Sequence, residues 1–218
     1  MTTQREVVLE LDDNQLGATL SLPPSPRGIV IFAHGSGSGR HSPRNIFVAQ
    51  TLNASGIATL LLDLLTIDED DIDRRTAALR FDIALLARRV DLATDWCKMQ
   101  PELQALRIGY FGASTGAGAA LLAASTRDDV DAVVSRGGRP DLAGDALGDV
   151  EAPTLLIVGE RDPKVLEMNR TAAAQLRTHF EIAIVPGATH LFEEPGTLER
   201  VAELAVRWFV RYLSPAPA

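Results

Sequence analysis

Apolar residues recur along this chain in two alternating rhythms. Short runs rich in β-formers are Gly28 to Ala33, Ala58 to Leu62, Ile108 to Phe111, Ala132 to Ser135, Thr154 to Val158 and Phe180 to Val185. Each is too short for a globular helix and is closed by Gly, Pro, Ser or Asp, so each reads as a buried strand. Between them lie stretches with helical spacing: Ile46 to Leu52, Arg80 to Met99, Thr115 to Ala124 and Glu199 to Leu213. Strands that alternate with helices predict a mostly parallel sheet covered by helices on both faces, an α/β fold.

The chain opens differently. Glu6 to Leu11 and Leu16 to Leu22 alternate in polarity around Asp12-Asp13-Asn14-Gln15, which predicts an N-terminal antiparallel hairpin. Ser42-Pro43 marks a helix start, and Gly56 its end. The acidic stretch Ile67 to Arg75 reads as a loop or irregular helix, and Ser214 to Ala218 as a frayed tail. The connections are short and leave no room for a large lid, and residues 1–218 read as a single domain.

One strand-to-helix junction carries a chemical signature. Gly112-Ala-Ser114-Thr-Gly116 follows a buried strand and opens a helix of small residues. This is the G-x-S-x-G pattern, a tight turn that strains the serine backbone and lifts its hydroxyl above the sheet. The flanking positions must be glycine because a Cβ there would collide with the adjacent strand or helix. A serine so placed needs a base to take its proton and a carboxylate to orient that base. Asp162 follows the Thr154–Val158 strand, and His190 follows the Phe180–Val185 strand, which puts all three on one rim of the sheet. Asp162 before Pro163 is equally suited to cap the next helix. Glu160, closer to the strand, is expected to face outward. His34, His41 and His179 compete poorly with His190.

The Gly-rich loop His34-Gly35-Ser36-Gly37-Ser38-Gly39 ends the first buried strand. Acyl transfer requires backbone N–H donors for a developing oxyanion. Thr115, next to the serine, and Ser36, in this loop, are the expected pair. His34 is expected to hold the loop in place.

These segments (HGSGSGRHSPRN, GYFGASTGAGAAL, VVSRGGRPDL, LLIVGERDPKV and PGATHLFEEPG) resemble the α/β-hydrolase superfamily, and within it the dienelactone-hydrolase-like branch. The resemblance covers most of the chain from Gly28 onward. It implies an eight-stranded sheet, a Ser114–Asp162–His190 triad and hydrolysis of carboxylic esters or related acyl compounds, with lactones and thioesters as alternatives. Dienelactone hydrolases proper carry a cysteine nucleophile, whereas this elbow carries serine. The single cysteine, Cys97, lies in the long helix and reads as a buried structural thiol.

Arg136 and Arg139 follow the strand next to the elbow, on the same rim. Either is suited to grip a substrate carboxylate. The commoner fate of a charged loop residue is to pair with a local acid, here Asp141 or Asp63. Arg80 and Asp82 read as a structural ion pair, and Asp68 to Asp71 as a solvated face rather than a metal site.

Composition narrows the partners. The formal net charge of −8 argues against nucleic acid and anionic membranes. The first residues lack the apolar core of a signal peptide, and no apolar run is long enough to span a bilayer. The expectation is a cytoplasmic monomer or homodimer acting on a small molecule without metal or cofactor. Gly35-x-Gly37-x-Gly39 superficially mimics a dinucleotide-binding loop, but its third glycine comes one residue early and the helix starts late. A non-catalytic binding protein would show a broken triad, and none is visible.

Overall fold

The computed structural model describes residues 1–10 and 15–214. The hairpin turn expected at Asp12 to Gln15 falls mostly outside these residues, as does the whole tail after Ser214.

The strands are β1 (Thr3–Glu10), β2 (Gln15–Leu22), β3 (Gly28–Ala33), β4 (Ala58–Leu62), β5 (Arg107–Ala113), β6 (Val130–Arg136), β7 (Thr154–Gly159) and β8 (Phe180–Val185). They form one eight-stranded sheet in the order β1-β2-β4-β3-β5-β6-β7-β8. The hairpin β1–β2 and the β2–β4 pair are antiparallel; every other pairing is parallel.

The helices are α1 (Pro43–Ala54), α2 (Ile67–Thr76), α3 (Ile83–Met99), α4 (Thr115–Ala124), α5 (Pro163–Ala173) and α6 (Thr197–Leu213). Period-two alternation of the strands builds two cores. In β3, Ile29, Ile31 and Ala33 face α3 and α4, while Val30 and Phe32 face α1 and α6. That all five are buried explains why the strand reads as an unbroken apolar run.

Three local expectations are corrected. Ile67 to Arg75 is neither loop nor irregular: α2 is a regular helix with a reciprocal capping box, Thr66 Oγ1 accepting from Glu69 N and Glu69 Oε2 from Thr66 N. The long helix starts at Ile83 rather than Arg80, because Asp82 accepts from Leu85 N as its N-cap. Asp82 is thereby committed, and Arg80 pairs instead with Asp73. A 3₁₀ segment, Pro140–Asp149, bridges β6 and β7; its interrupted, Gly-containing pattern has no clear helical period in the sequence.

The chain leaves β3 toward β4 on one side and later places β5 on the other, so the strand order reverses between β3 and β5. Ligands of open parallel sheets bind at the carboxyl ends of strands at such a reversal. The Ser36 loop and Ser114 flank this point.

Candidate active site

Ser114 caps α4 with φ 50° and ψ −122°, a conformation that non-glycine residues rarely adopt. The neighbouring glycines make it possible. A Cβ on Gly112 would lie 2.3 Å from Ala117 Cα, and one on Gly116 would lie 2.2 Å from the Ala33 carbonyl oxygen. The turn is pinned further by Arg139 N, which donates to the Ser114 carbonyl at 3.0 Å, and by Ser114 N, which donates to the Arg136 carbonyl at 3.3 Å.

Asp162 and His190 are brought together by the ends of β7 and β8. Gly159 permits this, since a Cβ there would lie 2.5 Å from the Ala188 carbonyl oxygen. Arg161 N donates to that same carbonyl at 2.9 Å, and Glu194 accepts from Thr189 N at 3.1 Å. The His190 Nδ1 lies 2.7 Å from Asp162 Oδ2. A carboxylate only accepts, so Nδ1 carries the proton of this bond and Nε2 lies on the opposite side of the ring. Asp162 also caps α5, its Oδ1 accepting from Val165 N at 3.5 Å. The two readings of this residue are thus compatible: one oxygen serves the helix, the other the histidine. Glu160 is exposed and accepts from Gly187 N.

Ser114 and His190 line one cavity of about 260 Å³ together with Gly35, Ser36 and Arg136. No direct hydrogen bond joins Ser114 Oγ to His190 among the described residues, a looseness common in unliganded sites. A second cavity of about 500 Å³ adjoins it across Gly35, Ser36, Ser38 and Ser42, and reaches Thr115, Leu64, Leu86 and Arg80. The N–H groups of Ser36 and Thr115 donate to no protein acceptor among the described residues.

His34 ties the loop down. Its Nε2 accepts from Leu64 N at 3.0 Å, which leaves Nδ1 to donate to the Gly35 carbonyl at 2.9 Å. Burial lowers its pKa, so the neutral ring is the favoured form.

The two rim arginines differ. Arg139 is committed to Asp141 through bonds of 2.7 and 2.9 Å, so the structure does not bring it to the cavity as a free ligand group. Arg136 is 7% exposed and lines the 260 Å³ cavity. Among the described residues its side chain makes one hydrogen bond, from Nη2 to Asn45 Oδ1 at 3.5 Å, and its Nε is buried without a partner. Burial, with the nearby Arg44 charge, lowers its pKa to about 10. Asp63, the other local acid considered, is taken by Arg40. Arg44 escaped the sequence reading, although Ser42-Pro43 places it in the first turn of a helix at the rim. Among the described residues no group of three or more His, Cys, Asp or Glu is placed to hold a metal ion. No helix described is long and apolar enough to cross a membrane.

Comparison with known proteins agrees with this architecture. The dienelactone hydrolase family matches residues 16–214. A dienelactone hydrolase from Anabaena variabilis, solved by crystallography, superimposes with a TM-score of 0.95 at 55% identity, covering 97% of this chain and 99% of that one. Est1E from Butyrivibrio proteoclasticus shares the fold at 18% identity, with a TM-score of 0.79 over 94% of this chain and 98% of its own. Two curated relatives from Mycobacterium tuberculosis, provisionally named phosphoribosyl transferases, are 60% identical over 201 residues. That match takes in 91% of this chain but only 44% of theirs, so the chain spans less than half the length of these relatives.

Proposed function

The chain belongs to the dienelactone hydrolase family, and from that premise we propose that it is a serine hydrolase that cleaves small or medium carboxylic esters. One observation carries the reading: a serine at φ 50° on the β5–α4 turn shares a cavity with a histidine whose Nδ1 is bonded to a half-buried carboxylate.

His190 Nε2 takes the Ser114 Oγ proton as Oγ bonds to the ester carbonyl carbon. The oxyanion accepts from the Thr115 and Ser36 N–H groups, and Asp162 stabilises the imidazolium. The carbon–oxygen bond to the alcohol then breaks, and Nε2 passes its proton to the departing oxygen. A water molecule repeats the sequence: it loses a proton to Nε2, bonds to the acyl carbon and releases Ser114 Oγ, which recovers the proton. The net change is ester plus water to acid plus alcohol, with no metal or cofactor in the path. Lactones and thioesters fit the same steps. The transferase name of the curated relatives belongs to proteins more than twice the length of the matched segment.

The test is hydrolysis of p-nitrophenyl esters from C2 to C12 by the wild type and by Ser114→Ala. The expected result is turnover by the wild type, with a chain-length optimum set by the larger cavity, and none by the variant. Full activity in the variant would overturn the nucleophile.

A further inference from the structure

The sheet ends in two edges that are guarded differently. At one end, β1 carries Arg5, Glu6 and Glu10 in exposed positions, and charge on an edge strand discourages pairing with another chain. At the other end β8 reads Phe-Glu-Ile-Ala-Ile-Val, and among the described residues no strand pairs with its outer side. It contains no proline or basic residue and runs in unbroken register with β7. Its single charge, Glu181, is turned toward α6, where Arg211 lies at 3.7 Å, with His179 at 3.4 Å. Ala183 and Val185 follow Glu181 on that face and pack into the α6 core. Phe180, Ile182 and Ile184 therefore share the opposite face. Phe180 is 38% and Ile184 43% exposed, with the half-buried Ile182 between them. A long apolar edge of this kind is a template for another strand.

The backbone decides which strand fits. Thr154 N donates to the His179 carbonyl at 2.9 Å, and Glu160 N to the Val185 carbonyl at 3.0 Å. Alternation therefore points the N–H and C=O of Phe180, Ile182 and Ile184 away from β7. We infer that β8 pairs antiparallel with β8 of a second copy of this chain, about a two-fold axis at Ile182. Outward groups must meet outward groups, so the axis falls at Glu181, Ile182 or Ala183. At Glu181 it sets two carboxylates directly opposite each other, which is unfavourable, and carries Ile184 past the end of the strand. At Ala183 it sets Phe180 opposite Pro186, which has no N–H to give. At Ile182 all three outward residues are used. Ile182 meets its own counterpart, and Phe180 meets Ile184 of the second copy at each end, a favourable aromatic–β-branched pair. Glu181 meets Ala183 of the second copy and keeps its balance with Arg211 inside its own chain, so two chains of net charge −8 join at a neutral edge. Because the two β8 strands run in opposite directions, the rims that carry Ser114 open on opposite sides of the pair.

Sedimentation velocity over a concentration series of the full chain tests this. The wild type is expected to move from one to two chain masses as its concentration rises. I182K and I182E each set like charges face to face on the axis, and each should associate about tenfold more weakly than the wild type. An equimolar mixture of the two sets Lys against Glu and should associate about tenfold more tightly than either variant alone. Far-UV circular dichroism and urea midpoints establish that each variant is folded. If the Ile182 variants do not fold, the more exposed ends of the strand supply the measurement. F180K and I184E should each weaken association, and the double variant F180K/I184E, whose new charges face each other across the interface, should regain part of it. A wild type that stays a monomer up to near-millimolar concentration overturns the inference. So does a dimer that the single charges leave intact, or one that the opposite charges fail to restore, because its contact lies elsewhere or in another register. Ester hydrolysis enters none of these readouts, so the outcome is independent of the hydrolase reading.

Discussion

Two arginines mark the two cavities that meet at the Ser114 loop, and they are held in opposite ways. In the larger cavity, Arg80 is closed onto Asp73, whose side chain is 3% exposed. Asp73 accepts from Arg80 Nε at 2.8 Å, from Arg80 N at 2.9 Å and from Leu79 N at 2.8 Å, while Arg80 Nη2 donates to the Asp73 carbonyl. Burial would raise the Asp73 pKa, but these bonds outweigh it and hold the carboxyl below the usual range. In the smaller cavity, Arg136 is as deeply buried as many core residues and has one long bond to an amide. The first arrangement joins α2 to the start of α3 and is complete without a ligand. The second has no carboxylate partner among the described residues. Burial alone therefore does not tell a paired charge from an unpaired one; the hydrogen-bond partners do.

The largest expected effect falls on the residue pair that the proposed mechanism asks to serve both chemistry and scaffolding. One Asp162 oxygen caps α5 and the other holds His190. Asp162→Asn keeps a capping oxygen but offers the ring an amide, which permits the wrong tautomer. Ester kcat is expected to drop about 10⁴-fold while the urea midpoint moves little. A variant that unfolds as readily as it loses activity would make Asp162 a cap first and a catalytic partner second.

Removing one member of each charged group tests the contrast directly. Asp73→Ala leaves Arg80 and two main-chain N–H groups without their acceptor. The expected loss of stability is about 3 kcal/mol, at the low end for a broken buried pair because Arg80 keeps some contact with water. Arg136→Met removes a buried cation that no carboxylate among the described residues neutralises, so stability should be unchanged or should rise by about 1 kcal/mol. Urea denaturation reads both. An Arg136→Met loss as large as that of Asp73→Ala would dissolve the distinction between the two arginines.

This contrast also explains what was legible in the sequence. The sheet, the elbow and the loops after β7 and β8 follow from apolar runs punctuated by Gly and Pro, which are local signals. Asp162 and His190 could be named together because parallel strands deliver their following loops to one rim. Arg80's partner could not be read, because Asp82 is nearer in sequence and only its commitment as an N-cap frees Arg80 for Asp73. Arg136 and Arg139 look alike along the chain, and only the turn geometry sends one to Asp141 and the other into the cavity. Arg44 did leave a trace: a cation in a helical first turn with no acid beside it. Pairing partners are long-range facts, whereas caps and patterns are local ones.

The smallest expected effect concerns the loop that both cavities share. His34 binds the Gly35 carbonyl on one side and Leu64 N on the other, so protonation at Nε2 would replace an accepted bond with a clash of two donors. Burial lowers its pKa below the ordinary value of about 6.5. The unfolded chain therefore binds a proton that the native state refuses, and stability is full above pH ~6.5 and is lost as the pH falls below it. The slope approaches 1.4 kcal/mol per pH unit at most, until the native ring itself titrates. In His34→Gln the amide can offer both a donor and an acceptor without titrating. The unfolding free energy from urea denaturation should fall further between pH 6.5 and 5.5 in the wild type than in this variant, with the pH responses of all other groups common to both. Parallel curves would mean that the loop opens to admit the proton without cost, and that the floor shared by the two cavities is softer than its hydrogen bonds imply.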